Sequence, residues 1–451
     1  MPPATPPSPG ADSPVVPPAV SGGRASYGQV LAGREFRVIF AADVVSMLGT
    51  VVAAVALTVL VYQRTGSPAL AASVMALAFL PYLFGGVLAG AAADRLPARR
   101  ALVACDLASA ALVAAMTIPG IPVAGMLVLL FGNGLIAPVY QGIRSALLPD
   151  VLPPGPGYVL GRSLMRMVAQ SAQIAGYGVG GALLAVLSPR GALTLDALSY
   201  AASAVLLRAG LAARSARAAR ARQTGSMARD SLAGARRTLA HREIRRILLF
   251  GWLVAACAIA PEALAAPYAA YIGQPARAAG FLLMGIPAGT VVADVIVARL
   301  LPVRLQRRMI VPAGLLVFGP MIGFAASPRL GPAIALLVTS GLGSAWAAGL
   351  DGLLIDVTPL PLRGRALALQ GAGLMFTQGA GFALWGIAAQ YAPLIAVIPA
   401  AGVAGGVAVV TLRPRRPGSP RAPEPGPAPA RSTAPARNTA PSQCPASTGT
   451  G

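Results

Sequence analysis

Seven carboxylates lie within or at the ends of long apolar stretches of this chain. They are Asp43, Asp106, Asp196, Glu262, Asp294, Asp351 and Asp356, out of fourteen acidic residues. Placing a charged carboxylate at the centre of a bilayer costs roughly 2.5–3.5 kcal/mol on insertion scales, so such a residue requires a partner, water or a proton. A carboxylate that binds a proton on one side of a membrane and releases it on the other would couple transport to a proton gradient.

Glu262 is the first candidate for this chemistry. It follows Pro261 in an apolar stretch that also contains Pro267. Prolines interrupt membrane helices and free backbone carbonyls where cavities form. Asp43 and Asp351 are further candidates for proton coupling or substrate binding, although Asp43 could equally serve as a hydrogen-bonding group between helices.

The other carboxylates are expected to have structural partners. Asp106 follows Arg99 and Arg100 by six or seven residues and is expected to join their basic network. Asp356 is expected to pair with Arg363 or Arg365. Structural roles are also expected for Asp196 and Asp294.

Other polar or aromatic residues in the apolar stretches are candidates for lining a cavity. They are Asn133, Gln141, Arg144, Arg166 and Trp346. Arg144 could extend to water at the end of its stretch or neutralise a carboxylate. Arg166 could line a polar path or pack against a neighbouring helix, and Trp346 could stack on a substrate or pack in the core.

The composition excludes a soluble globular protein. Of the 451 residues, 56% are hydrophobic and 11% are charged, whereas soluble proteins carry about 25% charged residues. The net charge of +22 comes from arginines alone and is attributed to loops beside anionic lipid rather than to nucleic-acid binding. The single histidine and three scattered cysteines favour neither a metal site nor a cofactor. No phosphate-binding loop or lysine is present, so ATP hydrolysis by this chain is not expected.

Twelve apolar segments, each near the length of a membrane span, organise the chain into two sets of six. The predicted fold is an all-α membrane protein with twelve transmembrane helices in two six-helix halves. The predicted segments are 36–62, 69–92, 100–119, 123–147, 160–187, 191–209, 247–271, 278–299, 309–326, 331–357, 366–390 and 392–412. The predicted regions are a disordered tail (1–33), an N-terminal half (34–209), a basic linker (210–246), a C-terminal half (247–412) and a disordered Pro-rich tail (413–451).

The distribution of arginine predicts the topology. One set of loops holds a cluster between Arg214 and Arg246 and most of the other loop arginines. The opposite set holds Arg64, Arg190, Arg277 and Arg329. Because basic loops stay in the cytoplasm, both termini are expected to be cytoplasmic in a plasma-membrane protein.

Two loop motifs carry a family resemblance. The sequence from Gly90 to Arg100, GAAADRLPARR, and the turn from Pro359 to Arg365, PLPLRGR, resemble the conserved loops of the major facilitator superfamily. The start Glu35-Phe36-Arg37 and the turn from Thr65 to Pro68 resemble bacterial exporters of the enterobactin type. The resemblance implies a monomeric secondary transporter, with proton-coupled efflux of a small amphipathic metabolite, siderophore or drug. Uptake by the same fold is the alternative.

The resemblance also implies a gate between the two halves at the cytoplasmic side. Its expected members are Asp94, Arg95, Arg99 and Arg100 before the third segment, and Arg363 and Arg365 before the eleventh. A carboxylate at the N-terminal end of the eleventh helix would be stabilised by the helix dipole and by those arginines. The glycines from Gly176 to Gly181 either form part of an antiporter element or allow close helix packing.

Two other classes of function compete with transport. A membrane sensor or scaffold with this fold would bind partners through its tails and linker, yet the linker contains no recognisable folded module. An integral membrane enzyme would need clustered nucleophile, acid–base or metal-binding residues at a membrane face, and none is evident.

Overall fold

The computed structural model describes residues 27–82, 97–152, 156–212, 236, 238–359 and 362–414. Within these ranges the chain is helical and contains no strand. The N-terminal helices are α1 Tyr27–Ala32, α2 Arg34–Thr65, α3 Pro68–Phe79, α4 Ala98–Met116, α5 Val123–Val151, α6 Pro156–Leu183 and α7 Pro189–Gly210. The C-terminal helices are α8 Arg242–Ala258, α9 Ala260–Ala263, α10 Ala265–Tyr271, α11 Arg277–Leu300, α12 Val303–Arg308, α13 Ile310–Ile322, α14 Leu330–Leu342, α15 Trp346–Val357, α16 Arg363–Tyr391 and α17 Leu394–Thr411.

Eight helical stretches in the described part of the chain are long and apolar enough to cross a membrane. They are Arg34–Thr65, Val123–Val151, Pro189–Gly210, Arg242–Ala263, Arg277–Val297, Leu330–Val357, Leu369–Tyr391 and Leu394–Thr411. Pro68–Phe79 and Ile310–Ala326 are shorter apolar helical stretches. The chain is therefore a multi-pass helical membrane protein, and the number of twelve spans stays a prediction.

The turn between α2 and α3 is encoded by four residues. Gly66 ends α2 in the left-handed conformation, with φ 63°, which glycine adopts without steric cost. The Ser67 hydroxyl accepts a hydrogen bond from the Leu70 N–H at 3.2 Å, and Pro68 occupies the first turn of α3. These signals reverse the chain within two residues and place α3 beside α2.

Three predicted segments are interrupted in the structure. The seventh divides into α8, α9 and α10, with breaks at Ile259 and Leu264 on either side of the Pro261 turn. The ninth ends in a 3₁₀ turn, Gly323–Ala326, and the tenth contains one at Gly343–Ala345. Proline removes a backbone donor and 3₁₀ turns tighten the helix, so the regular α-helical hydrogen-bond pattern is interrupted at these sites.

The helices define two ends of the bundle. Arg99 in α4, Arg304 and Arg307 in α12, and Arg363 in α16 lie at one end, here called the arginine-rich end. The turns at Gly66 and Gly273 lie at the other, here called the arginine-poor end. At the arginine-rich end, Glu35 accepts a hydrogen bond from the Ala212 N–H at 2.8 Å. This bond ties the start of α2 to the chain that leaves α7.

The hydrophobic core is organised differently in the two sets of helices. The N-terminal helices form one apolar cluster around Phe36, Ile143 and Leu207 near the arginine-rich end. A second cluster, around Leu57 and Met126, lies nearer the arginine-poor end. The C-terminal helices contribute most of one larger continuous cluster. The gap between the two N-terminal clusters holds the polar residues described next.

Candidate transport site

Asp43 and Arg144 form an ion pair between α2 and α5. Their side chains are 13% and 15% exposed, respectively, so the pair is largely shielded from solvent. Arg144 also donates to the Gln141 side chain one turn earlier on α5. Two roles were considered for Arg144, extension to water and neutralisation of a carboxylate, and the structure shows the second. A guanidinium with two acceptors is held in one orientation. Arg144 is therefore positioned to respond to the charge of Asp43.

Asp106 is bonded to Ser203 rather than to the basic network predicted for it. Ser203 Oγ donates to Asp106 Oδ2 at 2.6 Å, and both residues are buried. Arg99 instead donates to the backbone carbonyl of Leu211 at 3.3 Å. The prediction was wrong because seven residues along a helix amount to about 10 Å, which carries Asp106 from the loop into the bundle.

A polar layer continues from Asp106 toward the arginine-poor end. The hydroxyls of Thr50 and Tyr200 lie 2.9 Å apart, joining α2 to α7. Ser199 Oγ lies 3.3 Å from Asp196 Oδ1, and Asp196 is buried. Asn133 of α5 lies beside Tyr200. This layer occupies the gap between the two N-terminal apolar clusters, and sequence reasoning missed it because its members are spread over four helices.

Glu262 lies in the short helix α9, where the seventh segment is broken. Helix α9 contacts α3, α11, α16 and α17, so Glu262 is located where N-terminal and C-terminal helices meet. Tyr177 of α6 lies within electrostatic range of Glu262, and its hydroxyl lies 3.4 Å from Gln173 Nε2. Among the described side chains, no hydrogen bond or ion pair neutralises Glu262. A carboxylate in this setting is favoured in its protonated form.

The remaining candidates on the C-terminal helices lie apart from Glu262. Asp351 and Asp356 are exposed on α15. Asp356 pairs with Arg307 of α12, and Arg363 donates to the Thr358 carbonyl at 3.1 Å, which corrects the predicted pairing of Asp356 with Arg363. The side chain of Arg365, the other predicted partner, lies outside the described residues. The helix α12 was not recognised in the sequence, and it carries Arg307 alongside the end of α15.

Trp346 is packed in the core. It is 9% exposed, and its ring meets that of Phe250 edge-on at 5.9 Å between centroids. Two roles were considered for Trp346, stacking on a substrate and packing in the core, and the structure shows the second. The side chain of Arg166 lies outside the described residues.

The two sets of helices contact each other at the arginine-poor end. Gly181 of α6 and Gly280 of α11 touch through their backbones: a Cβ on Gly280 would lie 2.6 Å from the Gly181 nitrogen. Ser67 Oγ donates to Gln390 Oε1 at 2.7 Å at this end, and the same two helices also meet further inside the bundle, where Phe79 stacks on Phe382 at 5.6 Å. The glycine run from Gly176 to Gly181 was the sequence signal for the contact of Gly181 with Gly280. Close helix packing was one of the two interpretations of that run. These contacts close the bundle at this end.

The predicted gate lies partly beyond the described residues. Asp94 and Arg95 fall outside them, as does the side chain of Arg365. Arg100 is exposed at the start of α4, and Arg99 and Arg363 bond to nearby carbonyl groups as described above. Within the described ranges, no group of three or more His, Cys, Asp or Glu residues could hold a metal ion.

The fold is that of a multi-pass membrane transporter of the major facilitator type. The chain belongs to the transmembrane secretion effector family of that superfamily, whose model matches residues 28–417. No curated protein matches the chain.

Solved structures with the same fold are transporters. A mutant of the nucleoside transporter NupG aligns with a TM-score of 0.65 and 16% identity, over 83% of this chain and 98% of that one. The peptide transporter POT in complex with sulfate aligns with a TM-score of 0.65 and 14% identity, over 86% and 95%. A POT family transporter in complex with 5-aminolevulinic acid gives 0.64 and 10%, over 86% and 96%. At such identities the likeness shows the fold alone. The relation to enterobactin-type exporters stays a prediction.

Proposed function

We propose that this protein is a proton-coupled secondary transporter that exports a small amphipathic molecule across the plasma membrane, with both termini in the cytoplasm. The observation that carries the proposal is Glu262. It is an acidic group without a cationic partner among the described residues, located at a proline break where the two sets of helices meet. A transporter of this type changes conformation by moving its two halves about a site at their interface.

The ion pair of Asp43 and Arg144 supplies a second charge-sensitive element. When a proton binds Asp43, the pair loses its electrostatic attraction and Arg144 becomes free to take another anionic partner. An ionised Asp43 holds Arg144 again. The two carboxylates thus respond to protons at two levels of the bundle, because Asp43 lies nine residues from the start of α2 and Glu262 lies nine residues before the end of α10.

Closure at the arginine-poor end suggests how access alternates. By the positive-inside rule the arginine-poor end faces outward. The contact of Gly181 with Gly280, and that of Ser67 with Gln390, would then form the closed outer side. The predicted gate of Asp94, Arg95, Arg99 and Arg100 with Arg363 and Arg365 would form and break at the inner side in the opposite phase. Asp351 remains a candidate for contact with the substrate.

Transport assays in cells test the proposal. Cells that express the chain are loaded with a panel of fluorescent dyes and siderophores, with and without a protonophore. We expect at least one compound to accumulate less in expressing cells, and this difference to vanish when the protonophore is added. Equal accumulation in expressing and empty cells for every compound would contradict export of that panel, and greater accumulation would indicate uptake.

Two isosteric variants test the assigned carboxylates. Glu262→Gln and Asp43→Asn keep side-chain size but cannot change charge with pH, so both should abolish proton-driven transport at normal protein levels. Asp356→Asn is the matched control, since Asp356 lies in an exposed ion pair with Arg307. Unchanged transport in both test variants would refute the coupling assignment.

A further inference from the structure

Asp106 is a buried carboxylate to which the proposed function assigns no role. It is 2% exposed and accepts one hydrogen bond, from Ser203. The same region also buries Asp43 and Asp196. One guanidinium, that of Arg144, neutralises one of these three groups, because it pairs with Asp43. A buried carboxylate without a cation is far less stable in its ionised form than in its neutral form.

The groups that face Asp106 come from every helix packed around it. Helix α4 packs against α5 and α7, and α2 packs against α7. The titratable and charged groups close to Asp106 are Cys105 on its own helix, Asp43 of α2, Tyr140 of α5 with Arg144 beyond it, and Tyr200 of α7. Among the described residues, Arg144 is the cation of this group.

Tyr140 is a neighbour of both Asp106 and the ion pair. Its hydroxyl oxygen is buried and makes no hydrogen bond of ordinary geometry in the described structure. It lies within electrostatic range of Asp106, Asp43 and Arg144 together, and beside Ser203. A buried hydroxyl without a partner is costly, and the carboxyl group of Asp106 is within electrostatic range of this one. The side-chain oxygen of Asn133, also buried without a partner, lies further along the same layer.

We propose that Asp106 is a proton-binding site: it holds a proton while Arg144 is paired with Asp43, and it is the alternative ionic partner of Arg144. When a proton binds a carboxylate oxygen of Asp43, that ion pair breaks. Arg144 then pairs with Asp106, whose O–H bond breaks as its proton passes to water. One proton has bound and one has been released, so the charge of the cluster is unchanged. This inference rests on the proposed proton coupling and adds a site to it.

Infrared spectroscopy of the purified full-length protein tests the proposal without a substrate or a gradient. Protonated carboxyl groups give a C=O stretching band that ionised ones lack. At neutral pH, Asp106→Asn should remove a component of this band that is present in the wild type. Asp356→Asn is the matched control and should leave the band unchanged, because Asp356 is exposed and pairs with Arg307.

Two further variants distinguish partner exchange from a merely structural role. Asp43→Asn frees Arg144, so Asp106 should ionise and the same component should disappear although Asp106 is still present. Ser203→Ala removes the hydrogen bond to Asp106 and should shift the component to higher frequency; this variant serves if Asp106→Asn does not fold. A band unchanged in Asp106→Asn, or in Ser203→Ala, would overturn the proposal. Proton-driven export could fail in cells while this spectrum behaves as expected, so the two proposals fail separately.

Discussion

The N-terminal and C-terminal helices bury polar groups by different means. Among the N-terminal helices, Asp43, Asp106 and Asp196 are buried and have partners that include a guanidinium and hydroxyl groups. This polar layer separates two apolar clusters. The C-terminal helices contribute most of one continuous apolar cluster, and Glu262 is located in α9, which contacts helices of both sets.

This difference assigns different tasks to the two regions. A paired charge network has a defined low-energy arrangement and changes only when a proton alters its charge. A carboxylate without a cation can gain or lose a proton without breaking an ion pair. The N-terminal region is therefore suited to hold and exchange charge, and the C-terminal region presents one titratable group to the interface. The following predictions test this comparison, beginning with the largest expected effect.

The largest effect is expected from loss of one partner in the N-terminal ion pair. Arg144→Met leaves Asp43 buried without its cation, which should lower the free energy of unfolding by about 3–5 kcal/mol. Thermal denaturation of the detergent-solubilised protein, followed by size-exclusion chromatography, measures the change. The double variant Asp43→Asn/Arg144→Met should recover most of the loss, since it removes both charges. A single variant that melts like the wild type would show that the pair contributes no stability.

The next effect concerns the contact between the two regions. Gly280→Ala places a Cβ 2.6 Å from the Gly181 nitrogen and 2.7 Å from the Tyr177 carbonyl oxygen, and neither backbone atom can move alone. We expect a loss of about 1–3 kcal/mol and a shift toward the conformation that is open at the arginine-poor end. Reactivity of a cysteine introduced at Ser67 toward an impermeant thiol reagent measures that opening. Gly406→Ala is the control, since no atom lies within 4 Å of its added Cβ; equal reactivity in both variants would contradict the prediction.

A smaller effect is expected from the exposed ion pair of the C-terminal helices. Asp356→Asn removes the partner of Arg307, but the two side chains are 39% and 40% exposed, respectively, and water screens their attraction. The melting temperature should fall by an amount that corresponds to about 0–1 kcal/mol. A loss as large as that of Arg144→Met would mean that burial does not explain the difference between the two ion pairs.

The smallest change in stability is expected for Glu262→Gln. The amide has nearly the same size, and no ion pair to another described residue is lost, so the free energy of unfolding should stay within about 0.5 kcal/mol of the wild-type value. Proton-driven transport should nevertheless be abolished. Thermal denaturation and the accumulation assay, performed on the same variant, separate the two effects. A strongly destabilised variant would indicate a structural partner for Glu262.

The relative size of these effects does not follow from the sequence alone. Each carboxylate occurs in an apolar segment, and the sequence alone favoured Glu262 because of Pro261 and Pro267. It ranked Asp106 as a structural group near Arg99 and Arg100. That assignment used distance along one helix, whereas Ser203 approaches Asp106 from a helix 97 residues later.

The sequence by itself determined the class of the protein. Apolar segments of membrane-spanning length, the arginine distribution and two loop motifs predicted a helical transporter of the major facilitator type, which the fold and the family match confirm. These features are local: hydropathy needs one segment, and a turn such as Gly66-Ser67-Pro68 needs a few residues.

Only the tertiary structure decided which charged groups meet. The pairing of Asp43 with Arg144 joins residues 101 apart, and the contact of Gly181 with Gly280 joins helices from the two regions. Such contacts depend on how helices are rotated and tilted against each other, and hydropathy within a single apolar segment does not specify either. In the sequence, Asp43 and Glu262 look alike, since each is a carboxylate in an apolar segment. Helix packing decides that Asp43 has a cationic partner among the described residues and that Glu262 has none.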